Sequence, residues 1–202
     1  MSTCFASVVL AAGKSSRMGM IGSKMLLPWS NNTLLNHVIG TVCKSSCDPI
    51  SLVLGHEAQR IWQSLSGLLK SGLVVTIHDR YAEGMASSLQ AGLRMIPRHL
   101  PCFLVLGDQP LLSLDMMREM MAMYESTGGK TIRPMYQGRP AHPVLLSPGV
   151  RPLIDRLSGD EGLKSLFAAG LEVVAYEVAQ QEMILDVDTP LDYYKLLQFN
   201  RR

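Results

Sequence analysis

Charge is scarce in this chain, and an excess of either sign is scarcer. Only 18% of its 202 residues are charged, the formal net charge is +2, and the longest basic cluster is the final Arg201-Arg202. A nucleic-acid surface needs a basic patch or stripe, so nucleic acid is not an expected partner. No apolar run approaches the roughly 20 residues that cross a bilayer, so a membrane is not an expected partner either. The leading MSTCFASVVLAAGK has no basic segment ahead of its apolar stretch, and a secretory signal is not expected. Cysteine is sparse: Cys4, Cys43, Cys47 and Cys102 form no C-x-x-C pair, and no histidine stands at zinc-finger spacing. Cys43 and Cys47, four apart on an expected helix, leave a metal pair open, but buried thiols in a reducing cytoplasm are the expected reading. Repeats, low-complexity tracts and Pro/Gly-rich linkers are also missing, so one domain over residues 1–202 is expected.

What the chain does have is alternation. Apolar runs of strand length recur at Phe5–Leu10, Ile50–Leu54, Leu73–Ile77 and Cys102–Leu106. Helical spacing between them predicts helices over Thr33–Lys44, with Leu34, Leu35, Val38 and Val42 on one face, over Glu57–Leu69 and over Ala86–Met95. Such a pattern predicts a three-layer α/β domain with a mostly parallel sheet. Further on, Leu114–Met123 reads as a Met-rich helix of adaptable core. Strand-like runs at Thr131–Met135 and Pro143–Leu146 flank a Gly/Pro loop, and a helix over Leu163–Ala169 precedes a strand over Leu171–Val178. The segment MILDVDTPLDYYKLL adds a short strand and a closing helix begun by Thr189-Pro190. Ligands of such sheets sit at the carboxyl ends of the strands. Those ends carry Ala11–Gly13, Gly55-His56, His78-Asp79 and Gly107-Asp108. His56 and His78 are expected to serve there as structural hydrogen-bonders.

The richest stretch is Ser7 to Lys24, SVVLAAGKSSRMGMIGSK. Small residues after a buried strand let a polyphosphate approach the backbone, whose N–H groups then act as donors. Arg17 supplies a planar fork of positive charge and Lys24 a compact point charge. Gly13-Lys14-Ser15 is not the end of a P-loop, because the first glycine of that motif falls on Val8. Gly13, Gly19 and Gly22 do not fit the dinucleotide fingerprint either. Later, Gly84 opens a helix whose first turn holds Ser87 and Ser88, so exposed N–H groups and hydroxyls face the sheet edge. Asp108 at a strand end is well placed for Mg2+, a hard ion that bridges carboxylates and phosphates, with a helix cap as the alternative. Alternation on a strand puts Asp186 and Asp188 on one face, where they repel unless something positive lies between them; a cap is again the alternative for Asp188.

Read together, L-A-A-G-x-S-x-R-M-G and K-x-L-L-P resemble the signature of the nucleotidyltransferases related to the molybdenum cofactor cytidylyl- and guanylyltransferases. The resemblance runs on through GMASSL, GDQP, AHPVLL and DVDTPLDY, and is strongest to the cytidylyltransferases, which couple CTP to molybdopterin and release pyrophosphate. It implies a Rossmann-like nucleotidyltransferase domain with a mostly parallel mixed sheet. It also implies that Leu10, Ala11, Ala12, Gly13 and Lys14 hold base and ribose, with Asp79, Gly84, Ser87 and Ser88 beside them. Arg17 and Lys24 would hold the triphosphate, Lys24 acting at the α-phosphate, and Asp108 would hold Mg2+ with Asp188 or Asp186. His142 would help receive the acceptor, although Ala141 replaces a family glycine beside it. In Gly159-Asp160-Glu161-Gly162, the family's basic residue is displaced to Lys164. The guanylyl branch typically reads L-A-G-G, and the Ala12 methyl crowds a purine more than a pyrimidine, which favours CTP. Runner-up readings are a sugar-phosphate or other small-molecule nucleotidylyltransferase and a non-catalytic carrier that delivers cofactor to a molybdoenzyme client.

Overall fold

Strand β1 (Ala6–Ala11) is buried along its whole length, and its two faces set the layering. Val9 and Ala11 point into one apolar cluster, while Ala6, Val8 and Leu10 point into another. A strand covered on both faces reads as a continuous apolar run, and the spacing Phe5–Leu10 showed that run one residue early.

The computed structural model describes residues 3–65, 72–179 and 184–199. After β1 come a short hairpin of β2 (Pro28–Trp29) and β3 (Asn32–Thr33), helix α1 (Leu34–Lys44), β4 (Ile50–Leu54), α2 (Ala58–Ser64) and β5 (Leu73–Ile77). Next are α3 (Met85–Arg94), β6 (Cys102–Leu106), α4 (Leu114–Ser126), β7 (Ile132–Tyr136), β8 (Arg139–Pro140) and β9 (Val144–Leu146). The chain continues through α5 (Arg151–Ile154), α6 (Leu163–Ala168), β10 (Val174–Glu177) and α7 (Pro190–Phe199). The main sheet has the order β10-β7-β9-β6-β1-β4-β5, with β8 on the side of β7. Pairs β5–β4, β4–β1, β1–β6 and β7–β10 are parallel, while β9 runs antiparallel to both β6 and β7. The sheet is therefore mixed and mostly parallel.

Helices α1, α2 and α4 cover one face through Leu35, Val38, Ile61, Met116, Met117 and Met120. On the other, α3, α5 and α6 press Ala86, Leu89, Ile154 and Leu163 against Val8, Val53 and Leu104. Helix α1 begins where expected because the Thr33 hydroxyl accepts from the Asn36 N–H. Of the helix expected over Glu57–Leu69, Ala58–Ser64 is helical and residues 66–69 lie outside the described residues.

The strand expected in MILDV does not form. Residues 185–188 are irregular, and residue 183 is outside the described set. The segment is pinned instead by the Val187 N–H donating to the Asp108 carbonyl at 3.0 Å and by the fully buried Val187 side chain, which packs with Met18, Leu34 and Leu196. Among the described residues no helix is long and apolar enough to cross a membrane.

Candidate functional site

From β1 the chain winds outward to β4 and β5, then returns to place β6 on the opposite side of β1. Strand order reverses there, and the carboxyl ends of β1 and β6 open a crevice. A cavity of about 670 Å³ occupies it, with Leu10, Ala12, Gly13 and Leu106 on its walls. The two strand ends are tied: the Gly107 N–H donates to the Leu10 carbonyl at 2.9 Å. A Cβ at Gly107 would lie 2.9 Å from Leu35 Cδ1 and 3.1 Å from the Leu10 oxygen, so a glycine here keeps the packing tight. The turn delivers Asp108 to the cavity.

Beyond Gly13 the loop winds through Ser15 and Gly19 in left-handed conformations, with Met18 plugged into apolar packing. The Ser15 hydroxyl accepts from the Lys24 N–H at 3.1 Å, and Ser23 and Met25 on either side of Lys24 are buried. Lys24 is thus aimed by its neighbours. Its ammonium donates to Asp108 Oδ2 and to Asp188 Oδ1, the latter at 2.8 Å. Arg17 closes the row at 3.0 Å from Asp188 Oδ2. Burial works to lower the Lys24 pKa, but the charges and hydrogen bonds of Asp108 and Asp188 outweigh it and hold the ammonium above the usual lysine value. Asp186 accepts from the Gln109 side-chain amide at 2.5 Å. Burial, then the charge of Asp108, push Asp186 up to about 6 against that hydrogen bond.

Neither aspartate of the row caps a helix. The α4 cap is Ser113, whose hydroxyl accepts from the Met116 N–H, and the start of α7 is closed by Thr189 and Asp192 on each other. Among the described residues no three His, Cys, Asp or Glu side chains gather into a metal-binding group. The chain therefore offers a pair of carboxylates already bridged by a cation, and Asp108 Oδ1 is buried without a partner. Hard oxygen donors with one unsatisfied atom fit a divalent ion that also needs phosphate oxygens.

The cavity brings together Leu10, Ala12, Gly13, Lys14, Arg17, Lys24, Gly84, Ser88, Asp108, His142, Asp186 and Asp188. Ala11, Asp79 and Ser87 lie outside its lining. The Ala11 methyl turns to the α1 side of the sheet, as alternation after Leu10 requires. The Ser87 hydroxyl is engaged by the Gly84 carbonyl at 2.9 Å and by His78 Nε2 at 3.1 Å. Gly84 permits a close crossing, since a Cβ there would lie 2.2 Å from the Gly159 backbone. Two contributors went unread in the sequence: Gln109 and Tyr81. Gln109 had a signal, since it directly follows Asp108; Tyr81 had none, because its place depends on packing over Gly55, where a Cβ would meet Tyr81 Cβ at 2.6 Å and Ala12 Cβ at 2.8 Å.

His142 gives a prediction on stability. Burial pushes its imidazole down to about 4, with Arg133's charge adding and a backbone hydrogen bond at Leu104 opposing. The unfolded chain takes up this proton near 6.5 and the folded chain near 4, so the stability is complete above 6.5 and is lost as pH falls through that window. Because the ring also borders the cavity, the expected loss is about 1–2 kcal/mol, below the roughly 3 that the full shift implies. His142→Gln should flatten the slope by that amount in urea titrations at pH 7 and 4.5. Identical slopes in both proteins would contradict the burial of a neutral ring.

Comparison with known proteins identifies the family. Residues 7–178 match the MobA-like NTP transferase domain. The chain is 30% identical over 187 residues, 92% of each protein, to the molybdenum cofactor cytidylyltransferase of Escherichia coli (strain K12). It is 29% identical over 203 residues to the nicotine blue oxidoreductase of Paenarthrobacter nicotinovorans, covering 96% of this chain and 97% of that one. The crystal structure of Rv0371c from Mycobacterium tuberculosis H37Rv superposes with a TM-score of 0.82 at 29% identity, over 97% of this chain and 98% of that one. The manganese complex of Rv0371c gives 0.75 at 27%, over 98% and 100%. With the family matched over most of its length, the chain belongs to the MobA-like NTP transferase domain family and is a nucleotidyltransferase.

Proposed function

We propose that this nucleotidyltransferase moves CMP from CTP to the phosphate of molybdopterin and releases pyrophosphate. The observation that carries the reading is the row Arg17–Asp188–Lys24–Asp108 beside the small-residue wall of Ala12 and Gly13. It presents cations to a triphosphate and carboxylates to its counterion at one end of a cavity large enough for a nucleotide. The likeness to the E. coli cytidylyltransferase points to the same substrates.

In the transfer, a phosphate oxygen of the acceptor forms a bond to the α-phosphorus as the bond to the β-phosphate oxygen breaks. Both reactants are anions, so the protein's work is positioning and charge neutralisation. A phosphate monoester is largely ionised near pH 7, and no side chain has to act as nucleophile or strong base. Lys24, already held at the cavity, would present its charge to the α-phosphate, where negative charge redistributes in the transition state, and Arg17 would hold the outer phosphates. Asp108 with Asp188 would hold a divalent ion, with Asp186 as the alternative to Asp188; Mg2+ is the expected metal, and manganese is bound by Rv0371c in its complex. When bound, that ion supplies positive charge shared between carboxylate and phosphate oxygens. Tyr81, Gly84 and Ser88 line the cavity and would meet the nucleoside. A cytoplasmic location and a molybdoenzyme client accord with this role.

Base choice has its own test. The Ala12 methyl lines the cavity and is backed by Gly55, so it has no room to retreat from a purine. Ala12→Gly should raise the GTP-to-CTP ratio of kcat/KM by roughly tenfold, the effect of about 1.4 kcal/mol of relieved crowding. Pyrophosphate release with each nucleotide measures it. An unchanged ratio would place base selection at Tyr81 or Ser88.

A further inference from the structure

Arg133 stands out among the cations of the described residues. Arg17, Arg60, Arg80, Arg98 and Arg118 each lie on a carboxylate, Arg94, Arg139 and Arg156 are exposed, and Arg151 donates to the carbonyls of Leu93 and Ile96 while its Nη2 is also buried without a partner. Arg133 is half-buried, and its Nε is fully shielded with no hydrogen-bond partner. Its guanidinium lies instead over the Phe167 ring, 3.9 Å from carbon to centroid. Stacking fixes the plane of a guanidinium but leaves its in-plane N–H edge unsatisfied. Shielding an N–H without a polar partner is costly, and such groups in folded proteins call for an explanation.

Arg133 and Phe167 are outside the cavity lining, and the topology relates them to His142, which is in it. Strand β7 runs antiparallel to β9 with Ile132 opposite Leu145, so Arg133 stands across from Val144. Ile132 faces the α1 side, which turns Arg133 to the face where Val144 and Phe167 pack. His142, two residues before Val144, forms part of the cavity wall. Its Nδ1 is likewise shielded and without a partner, and the charge of Arg133 reaches it. Two nitrogens without partners therefore lie on β7 and just ahead of β9, apart from the Gly13 loop that carries Arg17. Lys164, where the displaced basic residue of the family pattern falls, is exposed.

We propose that Arg133 is the receptor for the acceptor's anionic group, a phosphate monoester whose oxygens meet the in-plane edge of the guanidinium while Phe167 holds that plane. A planar fork matches phosphate oxygens two at a time, which a lysine cannot do. This rests on the nucleotidyl-transfer reading above. Free phosphate shares the chemistry and serves as the probe.

The test uses the full chain saturated with a CTP analogue bearing a methylene between the α and β phosphorus atoms, so that the triphosphate loop is filled. Inorganic phosphate is then titrated calorimetrically into wild type, Arg133→Met and Arg133→Lys. Arg133→Met keeps an apolar stem on Phe167 and should weaken phosphate binding at least about tenfold. Arg133→Lys should recover part of that loss. Affinity for the CTP analogue should stay within about twofold, and the melting temperature should hold or rise because an unpaired charge is gone. Unchanged phosphate affinity, or an equal loss of affinity for the analogue, would overturn the assignment, as would a drop in melting temperature in both variants. A wild type that binds phosphate through Arg133 yet moves no α-phosphate to any acceptor would keep the anion site and sink the transfer reading.

Discussion

Lys24→Ala is expected to lower kcat by about a hundredfold or more while weakening CTP binding far less. Lys24 is held at the cavity by buried neighbours on both sides and by two carboxylates, so its charge is in place before substrate arrives. A charge fixed in advance costs no reorganisation when the transition state forms, and its loss falls on kcat. The measurement is CTP affinity by calorimetry beside pyrophosphate release with molybdopterin, for wild type and variant. Equal losses in affinity and rate would mean that Lys24 only holds the ground state. A non-catalytic carrier predicts weaker nucleotide binding with no turnover to lose.

Asp108→Ala should reduce pyrophosphate release by about 100- to 1000-fold, corresponding to about 3–4 kcal/mol of lost charge stabilisation. The fold should survive, because the residue's structural contact is its backbone carbonyl, which accepts from Val187 and remains in the variant. Its carboxylate has one oxygen on Lys24 and the other unpartnered, an arrangement that leaves a donor ready for a metal. Manganese titration followed by electron paramagnetic resonance should show weaker binding in the variant, with CTP present. Wild-type turnover and wild-type manganese affinity would together remove Asp108 from the metal assignment.

The sequence made the sheet legible where the apolar runs are continuous, at the buried centre and at the partly exposed edge strand β5 alike. Ile50–Leu54, Leu73–Ile77 and Cys102–Leu106 are strands with the bounds that the apolar runs gave. Helix α4 extends past Met123 to Ser126, and the run Leu171–Val178 shrinks to Val174–Glu177, where only pairing with β7 sustains a strand. The segment around Asp186 failed as a strand because its backbone bonds go to the Asp108 loop, a long-range contact that no local pattern reports. Both carboxylates reach the cavity all the same, one on each side of buried Val187. The order of Gly13, Arg17 and Lys24 made them candidates for one site, and all three line the cavity. The bridging of Asp108 and Asp188 by Lys24 was not, because it joins positions 84 and 164 residues apart. Nor was Arg133 readable, whose distinction is a guanidinium stacked on Phe167 with its Nε shielded from any hydrogen bond.

A relative that covers nearly the whole chain at 29% identity carries an oxidoreductase name, so the transfer itself has to be followed. CTP labelled at the α-phosphate, incubated with the full chain, Mg2+ and molybdopterin, tests it directly. The expected result is label covalently attached to the pterin, equimolar unlabelled pyrophosphate, and slower transfer from GTP. Label that stays in CTP, or appears only as free CMP, with all four nucleotides and with manganese as well, would contradict it.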